Sequence, residues 1–260
     1  MEAEYNNRAR VPGSAALIAG WAEAAARFRE EHPPEVLAYG DGPREAMDLF
    51  LPAVPVRAAA ILFHGGYWQA LDRSHGSHWA SGLLAHGVAV ALPSYDLCPE
   101  VSVGRIAEQA EDAALRLHAR LGLRLLAIGH SAGGHLAAWL LARRPEVGAA
   151  LPISGLFWLE PLLATSLNAK LRLGLEEARR LSPALRPSAA KPLHAVVGGE
   201  ESSEFLRQTR EFAPLWGGTA EVLPGLNHFT VLEPLAEPTH PLTVRAAALA
   251  VQACGLVMDA

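Results

Sequence analysis

Several things are scarce in this chain of 260 residues, and each scarcity excludes a class of protein. The two cysteines, Cys98 and Cys254, stand far apart with no C-x-x-C spacing. That excludes a disulfide scaffold and leaves both to be read as small buried hydrophobes. Neither sign of charge dominates: 22 basic and 27 acidic residues give a formal net charge of −5, without a basic stripe. Nothing electrostatic therefore points to nucleic acid or to an anionic membrane surface. No apolar stretch reaches spanning length, and the start M-E-A-E-Y-N-N-R lacks the basic segment and apolar run of a signal peptide. A cytoplasmic protein with no membrane partner is expected. Repeats and low-complexity linkers are missing as well. What the chain has is apolar residues, half of its length, enough for the core of one large α/β domain. A single domain over 1–260 is expected.

The order of elements follows from periodicity. Ser14 through Glu31 predicts a helix with Ser14 as N-cap, ended by Pro33-Pro34. Val36–Gly40 and Glu45–Leu51, either side of Asp41-Gly42-Pro43, predict an antiparallel hairpin. Apolar runs at Ala58–Phe63, Val88–Pro93, Leu125–Gly129, Ala149–Ser154 and Leu193–Gly198 then alternate with helical segments, and Ala220–Leu223 reads as a last strand. This rhythm predicts an α/β fold, a mostly parallel central sheet with helices on both faces and an antiparallel edge. Leu156 to Lys191 is too long for a simple connection and holds a helical stretch at Leu175–Leu181. A small cap insertion at about 156–191 is expected there, over the strand ends where ligands bind in such sheets.

The stretch R-L-L-A-I-G-H-S-A-G-G-H-L-A-A-W-L-L-A-R, 124–143, carries the first sign of chemistry. Gly129-His130-Ser131-Ala132-Gly133 fits the G-x-S-x-G turn, whose glycines permit a sharp strand-to-helix corner with a serine hydroxyl at its tip. The helix N-terminus beneath offers unpaired N–H groups to an oxyanion. Ser131 is the candidate nucleophile. Alone, the pentapeptide also suits a Gly/Ser turn in which Ser131 merely caps a helix. Two further groups of residues favour chemistry. His64-Gly65-Gly66-Tyr67-Trp68 follows the first central strand, where an H-G-G loop can supply half of an oxyanion hole; the candidate donors are the N–H groups of Gly65, Gly66 and Ala132. A base should follow downstream, and position prunes eleven histidines to His228, in a Pro-Gly-Leu-Asn-His-Phe-Thr loop after the last strand. For the orienting acid, Glu200, Glu201 and Glu204 in Gly-Gly-Glu-Glu-Ser-Ser-Glu-Phe are all candidates, and spacing does not choose among them.

Taken together, Y-N-N-R-A-R-V-P near the start, H-G-G-Y-W at 64–68, S-Y-D-L-C-P at 94–99, G-H-S-A-G-G-H at 129–135, T-S-L-N at 165–168, R-R-L-S-P at 179–183, G-G-E-E-S-S-E-F at 198–205 and N-H-F at 227–229 resemble the arylformamidase (kynurenine formamidase) branch of the α/β-hydrolases. The resemblance spans nearly the whole chain. It implies a serine hydrolase and places the triad acid three residues before the Glu-Phe pair, on Glu201. One departure touches the expected pocket: relatives often carry Asp where this chain has Trp158.

The mechanism expected is acyl transfer to Ser131, with His228 as base and Glu201 orienting it, followed by hydrolysis of the acyl-enzyme. The substrate expected is a small acyl amide or ester, above all an aryl formamide such as N-formylkynurenine. Tyr67, Trp68, Phe157, Trp158 and Phe229 are expected to wall the pocket. No cofactor or metal is called for. His75-x-x-His78 and His130-x₄-His135 have no acidic or Cys companions at metal-ligand spacing. A homo-oligomer is compatible with the sequence.

Overall fold

Five apolar runs become strands in which every residue is buried, as a sheet covered on both faces requires. They are β3 Ala58–Phe63, β4 Val88–Pro93, β5 Leu125–His130, β6 Val147–Ile153 and β7 His194–Gly198. The computed structural model describes residues 1–255, so the last five positions of the expected domain lie outside it. β1 Glu35–Ala38 and β2 Ala46–Phe50 form the expected hairpin, and β8 Thr219–Leu223 closes the other side. The eight strands run in the order β1-β2-β4-β3-β5-β6-β7-β8. β1, β2 and β4 pair antiparallel; all other pairings are parallel.

Strand periodicity splits the core into two layers. Ala59, Ile61 and Phe63 of β3 join one cluster and Ala58, Ala60 and Leu62 the other, because successive side chains leave a strand on opposite faces. The first layer is covered by α5 Val103–Leu121, α6 Ala132–Arg143 and α9 Ser203–Leu215, which contribute Ile106, Leu136 and Phe205. The second is covered by α3 Ser14–Glu31, α4 Ser81–Ala85 and α10 Pro241–Ala253, which contribute Trp21, Leu83 and Leu242. Ser14 is the first helical residue of α3 rather than its cap. Gly13, at φ 78°, takes the N-cap position, and the Ser14 hydroxyl donates to the Arg8 carbonyl.

Two segments sit at the carboxyl ends of the strands. One is the N-terminal pair of short helices, α1 Glu2–Tyr5 and α2 Asn7–Arg10. The other is the long connection after β6, holding α7 Asn168–Leu171 and α8 Leu175–Leu181. Leu156, Leu162, Leu171 and Leu181 of that connection pack in the same cluster as α6 and α9.

Candidate active site

The corner after β5 is tight because its glycines leave no room for a side chain. A Cβ on Gly133 would stand 2.2 Å from the Phe63 carbonyl oxygen, so only glycine lets α6 start directly against β3. Ser131 itself lies at φ 55° and ψ −116°. A non-glycine residue there carries on the order of 1–3 kcal/mol of backbone strain, held in place by the fold around it. The surrounding bonds are specific: Ser131 N–H donates to the Ile153 carbonyl at 2.9 Å, and the Ser131 carbonyl accepts from Gly134 N–H at 2.9 Å to open α6.

The H-G-G-Y-W loop comes up against this corner. A Cβ on Gly65 would meet His130 Nδ1 at 3.0 Å and Ser131 Cβ at 3.1 Å, so glycine is what brings this backbone to the serine. The peptide that follows is held from one side. His64 Nδ1 lies 2.9 Å from the Gly65 carbonyl, and the Tyr95 hydroxyl donates to the His64 carbonyl at 2.8 Å and to the Gly65 carbonyl at 3.3 Å. Burial pushes the His64 imidazole down to about 4, so its single proton sits on the nitrogen facing that carbonyl. In a planar trans peptide the N–H opposes the C=O. With the Gly65 carbonyl tied down, the Gly66 N–H points the other way, and Gly66 lines the cavity in front of Ser131.

Beyond β7, Gly198 and Gly199 turn the chain so that Glu201 points inward. Its Oε2 lies 2.6 Å from His228 Nδ1, while its Oε1 accepts from Gly198 N–H at 2.8 Å and from the Ser154 hydroxyl. Both partners are buried. The other two glutamates are engaged elsewhere. Glu200 is exposed, and Glu204 accepts from the Tyr5 hydroxyl, Arg207 and Gln208. His228 is fixed by its own loop, where Asn227 Oδ1 accepts from the N–H groups of Phe229 and Thr230. With Nδ1 facing Glu201, Nε2 is the ring nitrogen left to exchange a proton.

Ser131 and His228 share the wall of one cavity of about 340 Å³, together with Gly66, Tyr67, His130 and Phe229. Three of the five aromatic residues expected there do not line it. Trp68 is fully buried and packs edge-on against His135. Phe157 stacks on Phe212 at 3.9 Å. Trp158 faces the Arg207 guanidinium at 5.1 Å, so the departure at that position lies outside the cavity wall.

Of the outer wall, the part at 166–170 falls within the segment 156–191 expected over the strand ends, while the N-terminal part is not expected from sequence. The outer wall carries the polar residues Glu2 of α1, Asn7 and Arg8 of α2, Ser166 just before α7 and Lys170 within it. The N-terminal segment is strapped down by several bonds besides that from Tyr5 to Glu204. Glu2 accepts from Ser166 N–H and hydroxyl, both at 2.7 Å; Glu4 accepts from the Ser203 hydroxyl at 2.8 Å; the Tyr67 hydroxyl donates to the Tyr5 carbonyl at 2.7 Å. Burial holds the Tyr5 and Tyr67 hydroxyls well above the usual phenol range, so both stay protonated donors. For this N-terminal part the signal in the sequence is the Y-N-N-R run, to which no chemistry attaches.

Comparison with known proteins agrees with this architecture. Residues 60–232 match the family described as alpha/beta hydrolase fold. The chain is 30% identical to a kynurenine formamidase of Salmo salar over 233 residues, 79% of this chain and 78% of that protein. It is 29% identical to a kynurenine formamidase of Danio rerio over 229 residues, again 79% and 78% of the two chains. Among solved structures, a candidate thioesterase from Silicibacter sp. TM1040 superposes with a TM-score of 0.90 at 35% identity, covering 96% of this chain and 98% of that one. The chain therefore belongs to the α/β-hydrolase fold family, in the branch that includes the kynurenine formamidases, and is a hydrolytic enzyme.

Proposed function

We propose that this enzyme hydrolyses small acyl amides and esters, with aryl formamides such as N-formylkynurenine as its best substrates. The observation that carries the proposal is the 2.6 Å contact between His228 Nδ1 and Glu201, with His228 and Ser131 in one cavity wall. In this reading Ser131 attacks the acyl carbon while His228 Nε2 takes its proton. Glu201 keeps the imidazole in the right tautomer and stabilises the imidazolium. The N–H groups of Gly65, Gly66 and Ala132 receive the oxyanion. His228 then protonates the departing amine, and water, activated by the same imidazole, releases the acid and frees Ser131. The acyl group sits beside Gly66 and Tyr67, and the leaving group extends past Phe229 toward the polar outer wall. We place the enzyme in the cytoplasm, acting on a free small molecule within a single domain in which residues 156–191 help to cover the site.

The likeness to a candidate thioesterase favours a second reading, a short-chain ester or thioester hydrolase using the same residues. One substrate panel separates the two. The formamidase reading expects turnover of an aryl formamide and a kcat/KM series for aryl esters that falls beyond acetyl or propionyl, by roughly 10- to 200-fold for each methylene that does not fit. A series rising toward hexanoyl or octanoyl, with no formamide turnover, would leave the ester hydrolase.

A further inference from the structure

Ser131 and His228 reach the cavity from different loops, so something must set the distance between them. Glu201 grips the His228 ring at one nitrogen, which orients the ring but leaves the His228 backbone free to move with its loop. A second grip comes from the residue next to the nucleophile. His130 Nε2 lies 2.8 Å from the His228 carbonyl oxygen, and the two rings stand 4.6 Å apart. A ring nitrogen facing a carbonyl must carry the hydrogen and donate it. Burial, and then the neighbouring His228, push the His130 imidazole well below its ordinary range, so it is neutral and its one proton sits on Nε2. The ring is clamped in its turn. The Trp21 ring stands perpendicular to it with centroids 6.2 Å apart, and Gly65 approaches so closely that an added Cβ would meet Nδ1 at 3.0 Å.

We infer that His130 is a positioning residue, coupling the nucleophile corner to the His228 backbone so that base and serine move as one unit. The chemistry suits a neutral donor. When His228 takes the serine proton it becomes a cation, and a second cation at ring-to-ring distance would oppose that step. A neutral imidazole gives the hydrogen bond without the charge. The inference rests on the reading of Ser131 and His228 as nucleophile and base.

The test compares His130→Gln, His130→Asn and His130→Ala. The Gln amide nitrogen can occupy the Nε2 position and donate; the shorter Asn amide stops near Nδ1 and cannot. The readouts are kcat and KM for 4-nitrophenyl acetate, with each rate divided by the folded fraction from near-UV circular dichroism, and the melting temperature. Misplacing a reacting group by about 1 Å can cost on the order of 10²-fold, so His130→Asn and His130→Ala should lower kcat by roughly 10- to 100-fold with KM within about twofold. His130→Gln should recover most of that loss. A residue with a merely structural role would lower the folded fraction and the melting temperature but leave the rate per folded molecule unchanged, and that result would overturn the inference. So would His130→Gln being as slow as His130→Asn, a comparison that stands even if His130→Ala does not fold. Ser131→Ala and His228→Ala serve as separate controls. If they keep their activity, the nucleophile and base are wrongly assigned; if they lose it while the His130 series is flat, only the positioning role fails.

Discussion

Replacing Glu201 by Gln changes one atom and tests the orienting role directly. Glu201 Oε1 faces two donors, the Gly198 N–H at 2.8 Å and the Ser154 hydroxyl, while Oε2 faces His228 Nδ1 at 2.6 Å. A Gln amide has one oxygen and one NH₂ to divide between those partners. With the oxygen at the Oε1 position, the NH₂ points at Nδ1, which must then present a lone pair. The imidazole proton moves to Nε2, and the ring can no longer accept from Ser131. With the amide flipped, NH₂ meets the Gly198 N–H, donor against donor in a buried site, at about 1–3 kcal/mol for the unsatisfied group, with the contact to the ring weakened as well. The first arrangement is therefore favoured and the competent tautomer becomes a minor state. That cost alone lowers the rate by roughly 10- to 10²-fold, and the weakened contact to the ring carries the loss toward the roughly 10⁴-fold of the corresponding change in a Ser-His-Asp triad. Glu200→Gln should leave kcat within about twofold, because Glu200 is exposed and only its backbone N–H is engaged in the site's architecture, donating to the Leu226 carbonyl. The assay is kcat on an aryl ester at pH 7.5, with near-UV circular dichroism and the melting temperature as controls for folding. A Glu201→Gln enzyme within tenfold of the parent, or a swap of phenotypes between the two glutamates, would refute the reasoning.

Ser131→Ala and His228→Ala should each lower kcat by roughly 10⁴- to 10⁶-fold, and the double variant should be little worse than either; multiplicative losses would mean that the two do not act as a unit. Stability should fall with acid, because burial pushes His64 and His135 down from 6.5 to about 4. Between those values the unfolded chain binds protons that the folded chain refuses, so each histidine withdraws up to about 3 kcal/mol as the pH drops. Urea unfolding from pH 7 to pH 4.5 reads this directly; a flat profile to pH 5 would contradict it, and His135→Gln should remove part of the slope. Arg8 and Lys170 stand at the outer wall of the cavity. Arg8→Gln and Lys170→Gln should each raise KM about three- to tenfold for a carboxylate-bearing aryl formamide while leaving a neutral one unchanged, a difference that fades with added salt.

What could be read in the sequence was what the backbone dictates locally. β3 and β4 fall on the residues expected of them because each is an unbroken apolar run between polar or turn residues. The corner at Ser131 was legible for a related reason: its glycines answer to backbone clashes that any protein with this turn would meet. The choice among Glu200, Glu201 and Glu204 was not legible from spacing. It depends on where Gly198 and Ser154 present donors, and Ser154 lies 47 positions away in the chain. The N-terminal part of the outer wall is not legible because α1 and α2 are four residues each, too short to show a period, and are held by bonds such as Tyr5 to Glu204 across 199 positions. Ser14 failed as a cap because a glycine before it could take the left-handed conformation there.

The aromatic residues make the limit sharpest. Tyr67 and Trp68 are neighbours and both sit in the left-handed region, at φ 50° and 56°. A loop held in that conformation over two bulky residues turns consecutive side chains in directions that neither a helical nor a strand period describes. Tyr67 consequently stays in the cavity wall, where its hydroxyl ties down the N-terminal segment, while Trp68 turns inward against His135 and gives its carbonyl to Cys98 N–H at 2.7 Å. The motif places both rings near the serine, but the strained backbone divides them between cavity wall and core. Tyr67 and Phe229 line the cavity and Trp68 does not, so Trp68→Phe should act on stability, read as the melting temperature, rather than on the kcat/KM series over acyl groups.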